Sequence, residues 1–307
     1  MINKIEAIKS IMIDDIKALK NREVQALFNQ VEFGKMLRSK LMLCIFEQAL
    51  DKSKEHYLLR ACAVIELVQL ASLLHDDVID NATIRRANPT INATFGDRSA
   101  IMLGDVIYSY AFLKMLDLSK ISPKIPKSIA QAVVNLSMGE VLDVAMASNF
   151  QNDLDAYKNM ISLKTASLIA SSCEISALIS GLDPQIYYNF GLNLGICYQI
   201  VDDLLDLKSD KEILGKNNFS DFSEGKTTLP YMLLFEKLNK DDKKRLKDLH
   251  KKPLDPINKT FIVTKMKEFN IFDETQNVAQ DFAKKALLYV KNKELENITL
   301  DLLKRVK

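Results

Sequence analysis

From Lys35 to Asn88, and again from Ile257 to Lys307, the sequence runs without a single glycine or proline. Those two residue types cost most inside a helix and mark most turns, so stretches like these suit long helices and little else. The whole chain of 307 residues holds only 9 Gly and 7 Pro. That scarcity excludes collagenous, low-complexity and turn-rich β architectures. Apolar residues recur at helical spacing almost throughout, and no alternating strand pattern is present. The fold class expected is all-α, with helices at 3–20, 36–51, 55–80, 98–118, 125–149, 153–181, 185–208, 225–238, 241–250, 257–269 and 272–306, the last one broken. Asn88-Pro89, Ser122-Pro123, Asp183-Pro184 and Lys252-Pro253 supply the interruptions. No linker divides the chain, so residues 1–307 are expected to form one domain.

Forty-two basic residues against 40 acidic ones leave a net charge of +2, which advertises no nucleic-acid surface. Cys44, Cys62, Cys173 and Cys197 are far apart and sit in apolar helical patterns, as buried thiols in a reducing compartment do. Lys4, Glu6 and Lys9 spoil the N-terminus as a signal peptide. The most apolar run, Ala61 to Leu74, is broken by Glu66 and Gln69 and is too short to span a bilayer. The expected location is the cytoplasm, with no transmembrane segment. Lys240 to Lys252 is lysine-rich and reads as a solvated helix and loop.

Two acidic motifs carry the chemistry. The helix over 58–80 is apolar nearly all round, yet Glu66, Gln69, Ser72, Asp76 and Asp80 share one face of it. That stripe ends in Asp76-Asp77-Val78-Ile79-Asp80, where two like-charged carboxylates one turn apart repel each other unless a cation intervenes. Mg²⁺ suits the place, because it takes one or two carboxylates and shares its other positions with substrate phosphates. The pattern returns as Asp202-Asp203-Leu204-Leu205-Asp206 at the end of a second apolar helix, one turn after Gln199. One such motif could arise by chance; two at the ends of apolar helices are hard to explain that way.

Carboxylates holding metal imply a polyanionic substrate whose outer oxygens need basic partners. Arg85-Arg86 follows the first motif, and Gly34-Lys35-Met36-Leu37-Arg38 opens an early helix where N–H groups favour anions. Lys164-Thr165 interrupts an apolar helix, where an unpaired lysine would be costly. Gly215-Lys216 and Gly225-Lys226-Thr227-Thr228 follow the second motif.

In this order, the motifs resemble those of the trans-isoprenyl diphosphate synthases, the polyprenyl synthetase family, over essentially the whole chain. The carrying residues are Leu73-Leu74-His75-Asp76-Asp77-Val78-Ile79-Asp80 with Arg85-Arg86, then Gly104-Asp105, Gly139-Glu140-Val141-Leu142 and Lys164-Thr165-Ala166-Ser167-Leu168. Gln199 to Asp206, Gly215-Lys216 and Gly225 to Pro230 complete them. The resemblance implies the isoprenoid synthase fold, antiparallel helices around a deep central cavity, in a homodimer. It implies condensation of an allylic diphosphate such as farnesyl diphosphate with isopentenyl diphosphate, releasing pyrophosphate.

By resemblance, Asp76, Asp80 and Asp202 hold three Mg²⁺ ions on the allylic diphosphate, with Asp77, Asp203 and Asp206 as supporting carboxylates. Arg85, Lys164, Lys216 and Lys226 complete that site. Thr165 and Gln199 fall beside the reacting carbons. Lys35, Arg38 and Arg86 hold isopentenyl diphosphate without metal, and Gln69, often histidine in the family, touches it as well. The departing pyrophosphate serves as base. Phe33 replaces one of the family's paired glycines, Ser39 a proline, Phe219 a glycine and Asp143 a frequent glutamine. None of these changes touches a metal ligand.

His75 reads as a structural hydrogen-bonding residue, His56 and His250 as surface residues, and Tyr198 and Phe112 as core. In the family the growing tail runs down from the first motif. Ala71 and Ser72 lie one turn below Asp76, where an aromatic residue would stop it; both are small, so a long-chain product is expected, a precursor of a quinone side chain. Small residues there also permit close helix packing. Such a product would enter lipid, which leaves membrane association open. A class I terpene cyclase would also pair acidic motifs with Mg²⁺, but its second motif mixes Asn, Ser or Thr with Glu. A non-catalytic partner subunit would show eroded aspartates.

Overall fold

The protein is described here by a computed structural model covering residues 1–208 and 219–306. The all-α reading holds: helices carry the regular structure of the described residues. The exception is a hairpin pairing Ile84–Arg85 antiparallel with Asn88–Pro89. Strands of two residues leave no alternating pattern to find in a sequence.

The chain divides into two compact units. The first comprises Met1–Val133 and Leu168–Tyr188. It contains α1 (Ile2–Ala18), α2 (Arg22–Phe28), α3 (Leu37–Phe46), α4 (Glu55–Ile79), α5 (Ile91–Phe95) and α6 (Asp97–Met115). It also takes the beginning of α7 (Lys124–Met146), most of α9 (Ser167–Ser180) and the start of α10 (Pro184–Lys208). α4 packs against α6, α1 and α3. Ala61 to Ile65 are buried all round the helix, as a β-branched and alanine-rich run without polar relief requires. The short helices α2 and α5 lie outside the expected set. Asn21 starts the first by accepting from the Val24 N–H at 3.0 Å, and Thr90 starts the second through the Ala93 N–H at 3.3 Å.

The second unit comprises Val134–Ser167 and Asn189–Lys307. After the rest of α7 come α8 (Leu154–Ile161) and a π turn at Ser162–Ala166. Beyond α10 lie α11 (Ser220–Glu224), α12 (Leu229–Lys237), α13 (Lys240–Leu249), α14 (Pro256–Glu268), α15 (Ile271–Leu287) and α16 (Lys293–Lys304). Phe222, Tyr231, Leu234, Leu246, Ile262, Met266 and Ile271 form its apolar centre. Two expectations are corrected. The helix placed at 225–238 begins only at Leu229, because Pro230 suits a first turn and Thr228 is extended at the N-cap. The single helix at 153–181 is α8, the π turn and α9.

All four cysteines are buried free thiols. The expectation of no helix long enough to span a bilayer is corrected: Lys52–Ile79, which contains the run Ala61–Leu74, Asp97–Lys120 and Lys124–Met146 are long and apolar enough to cross a membrane. Most of the first span is buried inside the protein.

Candidate active site

α4 ends on the first acidic motif. Asp77 is buried and tied down: Arg85 donates to its Oδ1 from Nε at 2.8 Å, with the other guanidinium nitrogen at 2.7 Å. Asp76 and Asp80, one turn apart, are more exposed than Asp77. His75 takes the structural role expected of it. Its Nε2 lies 3.2 Å from the Ile101 carbonyl and 3.4 Å from Asp105, and its ring packs on Tyr108. Gly104 makes room for it, since a Cβ there would fall 2.4 Å from Nε2.

The hairpin after α4 is strained where function is expected. Arg86 and Ala87 occupy left-handed backbone, with φ of 53° and 65°, in positions that normally select Asn-Gly. Several bonds hold it there. The Arg86 guanidinium donates to the Glu32 carbonyl at 2.8 Å, Asn88 to the Glu32 carboxylate at 2.8 Å, and Thr90 to the Ala82 carbonyl at 2.7 Å. Gly34 lets Arg86 approach, because a Cβ there would sit 2.4 Å from a guanidinium nitrogen. Lys35 is exposed and Arg38 half-buried around the start of α3.

The departure at Ser39 has a clear purpose. Its N–H and hydroxyl both donate to buried Glu66, at 3.0 and 2.8 Å. A proline would supply neither donor. Glu66 thereby occupies one of the N–H groups that the sequence reading left open for anions at this helix start. Farther along the stripe Gln69 is half-buried, and Ala71 and Ser72 are buried, with the Ser72 hydroxyl on the Gln69 carbonyl at 2.9 Å.

In the second unit the π turn presents Lys164 and Thr165. Such turns widen the helix by one residue, change the direction of side chains and are common at functional sites. Backbone closes on this one from two sides. A Cβ on Gly139 of α7 would lie 2.2 Å from the Lys164 nitrogen, and one on Gly195 of α10 would lie 2.5 Å from the Ala166 Cα. The Lys164 ammonium meets Glu140 at 2.7 Å and Asp143 at 2.5 Å, so the unusual acid at 143 answers the costly lysine.

Thr165 starts a line of bonds. Its hydroxyl donates to Gln199 Oε1 at 2.7 Å, Gln199 donates to Asp203 Oδ1 at 2.9 Å, and the Tyr157 hydroxyl donates to Asp203 Oδ2 at 2.5 Å. Asp203 is 2% exposed. Burial, reinforced by nearby Asp221, pushes its carboxyl up to about 8. Asp206 is bound by the Ser220 N–H and hydroxyl at 3.0 and 2.6 Å, and burial pushes it up to about 7. Asp202 is the most exposed of the three, its side chain 50% exposed with Arg305 at 3.9 Å.

Lys226 lies 2.9 Å from Glu224 on the loop that follows α11. Gly215 and Lys216 lie outside the described residues. His250, expected at the surface, is only 9% exposed. Phe150 and Phe222 flank its ring edge-on, and its Nε2 sits 2.6 Å from the Gly225 carbonyl and 3.3 Å from the Thr227 hydroxyl. It therefore ties down the loop on both sides of Lys226. Tyr198 and Phe112, expected in the core, are half-buried, and Arg305 stacks 5.5 Å above the Tyr198 ring.

Burial lowers the His250 pKa below the ordinary 6.5; the bond to the Gly225 carbonyl opposes this and nearby Lys251 adds to it. The unfolded chain then takes up this proton before the folded one does. Stability is expected to be fully present above pH 6.5 and to fall as pH drops from there through the lower folded value. His250→Gln keeps a donor and should remove that dependence from urea midpoints measured on either side of the interval. His250→Ala should cost about 2–3 kcal/mol at neutral pH. Midpoints equal to the parent's for both variants would contradict this role.

Among the described residues, no three His, Cys, Asp or Glu side chains gather into a ready-made metal cage. The more exposed carboxylates of the two motifs offer hard oxygen donors, which suit an ion that completes its shell with water and phosphate.

Residues 21–265 match the family model for polyprenyl synthetase. The chain belongs to the polyprenyl synthetase family. It is therefore a prenyltransferase with the all-α isoprenoid synthase fold, and its relatives include long-chain synthases. Octaprenyl pyrophosphate synthase of Helicobacter pylori superposes with a TM-score of 0.93 at 42% identity, over 99% of each chain. Octaprenyl diphosphate synthase of Escherichia coli is 34% identical over 69% of this chain and 67% of its own. A polyprenyl synthase from Caulobacter crescentus, complexed with calcium and isoprenyl diphosphate, superposes with a TM-score of 0.88 at 25% identity, over 99% of this chain and 95% of its own.

Three features of this prenyltransferase escaped the sequence. The π turn keeps an apolar helical period, so only the misplaced-looking Lys164 hinted at it. Tyr157 and His250 join the site through partners far away in sequence, and no local signal marks either one.

Proposed function

We propose that the chain condenses an allylic diphosphate such as farnesyl diphosphate with isopentenyl diphosphate in trans, in a Mg²⁺-dependent reaction repeated to a long-chain polyprenyl diphosphate. The observation that carries this reading is the shared division of labour in the two acidic motifs. In each, the second aspartate is buried and held by protein donors, Asp77 by Arg85 and Asp203 by Tyr157 and Gln199, while the first is more exposed. Asp76, Asp80 and Asp202 are then the metal ligands, for three ions, and Asp77, Asp203 and Asp206 support them. Bound Mg²⁺ supplies charge neutralisation of the leaving diphosphate.

The chain's own residues do the rest. Arg85, Lys164, Lys216 and Lys226 bind the allylic diphosphate. Lys35, Arg38 and Arg86 hold isopentenyl diphosphate, with Gln69 as a further donor. Thr165 and Gln199 direct their dipoles at the carbon chain where positive charge develops. Their orientation is fixed through buried Asp203. The whole chain acts as one synthetase domain, in the cytoplasm, and its product serves as a quinone side-chain precursor. A homodimer is supported by exposed apolar residues on α6 (Ile101, Met102, Leu113) and on α7 (Val134, Val141, Val144).

Incubation of the purified chain with farnesyl diphosphate, labelled isopentenyl diphosphate and Mg²⁺, then dephosphorylation and sizing of the alcohols, tests the reading. Linear alcohols longer than about four isoprene units are expected; a cyclised terpene or no elongation would refute it. Ala71 and Ser72 are small and buried, so Ala71→Phe or Ser72→Tyr should shift the products to shorter chains. An unchanged distribution would remove this level of the helix from control of length.

A further inference from the structure

The net charge of +2 is not spread evenly. Residues 237–252 hold eight basic and three acidic side chains, so this one segment is more positive than the whole chain. α13 also sorts its charges. Toward α14 it turns Asp242, paired with Lys265 at 3.2 Å, and Arg245, which donates to Asn258 at 2.9 Å and lies 4.0 Å from the Phe261 ring centre. Leu246 is buried. Lys240, Lys243, Lys244 and Lys247 lie on another face, where they wall an open groove of about 480 Å³ floored by Phe235 and Leu238. One acid, Asp248, shares the lining.

The lysines of this face converge. Lys243 and Lys247 place their ammonium groups 5.1 and 4.9 Å from the centre of the same Phe235 ring, and Lys247 also reaches Phe150 at 6.0 Å. Like charges three and four residues apart on a helix repel each other, and the aromatic floor offsets only part of that. An anionic surface would relieve the rest. Ammonium groups gathered with aromatic rings on one helix face make a positive surface of the kind that attracts anionic lipid headgroups.

We propose that the lysine face of α13 docks the enzyme onto a membrane rich in anionic lipid. The choice of lipid over a soluble anion rests on the long-chain product proposed above, which has to leave water for a bilayer. Charge complementarity sets the partner: each lysine near an anionic leaflet strengthens attachment, and salt weakens it within a Debye length. None of the four lysines belongs to the proposed diphosphate sites.

Vesicle flotation with the full chain tests this. Vesicles of phosphatidylcholine alone are compared with vesicles containing phosphatidylglycerol, at low and high salt. Binding to the anionic vesicles only, and its loss at high salt, are expected. Lys240→Gln, Lys243→Gln, Lys244→Gln and Lys247→Gln together should weaken it by about a hundredfold to a thousandfold. The same number of glutamines at Lys284, Lys285, Lys291 and Lys293 should change it by less than about tenfold. Thermal unfolding establishes that both variants are folded, and turnover of a short soluble primer should match the parent in both. Equal binding to neutral vesicles, parental binding by the first variant, or equal loss in the second would overturn the proposal. So would lysine-dependent binding of inorganic phosphate or polyglutamate with none to vesicles. Flotation does not involve product formation, so failure of the docking proposal and failure of the long-chain reading are separately visible.

Discussion

Asp76→Ala is expected to lower turnover by about three to four orders of magnitude, with little loss of stability. The residue is the more exposed neighbour of Asp77, whose carboxylate is joined to Arg85 at 2.7–2.8 Å. Removing Asp76 therefore leaves the structural ion pair in place while deleting a proposed metal ligand. Charge stabilisation of a departing diphosphate contributes several kcal/mol, and about 1.4 kcal/mol corresponds to each tenfold in rate. Asp77→Ala should differ by losing stability as well as turnover. It strands the partly buried Arg85 guanidinium and should reduce stability by about 3 kcal/mol. Initial rates with labelled isopentenyl diphosphate and urea midpoints of both variants separate the two roles. Near-normal turnover by Asp76→Ala would sink the metal assignment.

Gly139→Ala should be the most destabilising single methyl in the described chain's second unit, at about 3 kcal/mol or more. Its Cβ would fall 2.2 Å from the Lys164 nitrogen, 2.5 Å from the Lys164 Cα and 2.8 Å from the Leu163 carbonyl carbon. All three are main-chain atoms, so no rotamer change relieves the clash, and overpacking that cannot relax lies at the upper end of such costs. Gly195→Ala meets the Ala166 Cα at 2.5 Å and should act in the same direction. Both substitutions move the π turn, so any folded fraction should also lose turnover through displaced Lys164 and Thr165. A urea midpoint unmoved by Gly139→Ala would disprove the close approach.

The legible parts of the fold were those written in local pattern. Few breakers and a 3.6-residue period placed the long helices, and proline at 89, 123 and 184 placed several of their limits. The helix α2 could have been found from Asn21, a favoured N-cap residue, but its seven residues give too short a period. The expected helix at 225–238 ran through Pro230, which instead sits in the first turn of α12. The acidic motifs were legible because like charges on one face demand a reason. Which aspartate of each motif is buried was not, since that depends on Arg85, Tyr157 and Gln199 arriving through tertiary structure. His250 was misjudged for the same reason: its lysine-rich neighbours predict solvent, while Phe150 and Phe222 enclose it from other elements.

The glycine-braced π turn has a consequence for how such enzymes diversify. The backbone that carries Lys164 and Thr165 is positioned by main chain pressing on main chain, at Gly139 and Gly195, before any side chain orients the two residues. Under the proposed function, lineages could exchange bulky for small residues elsewhere along an apolar helix, as at Ala71 and Ser72, without re-solving the problem of gripping a diphosphate. Catalytic machinery and molecular gauge become separately evolvable, and one scaffold can change the length of what it makes while keeping the way it makes it.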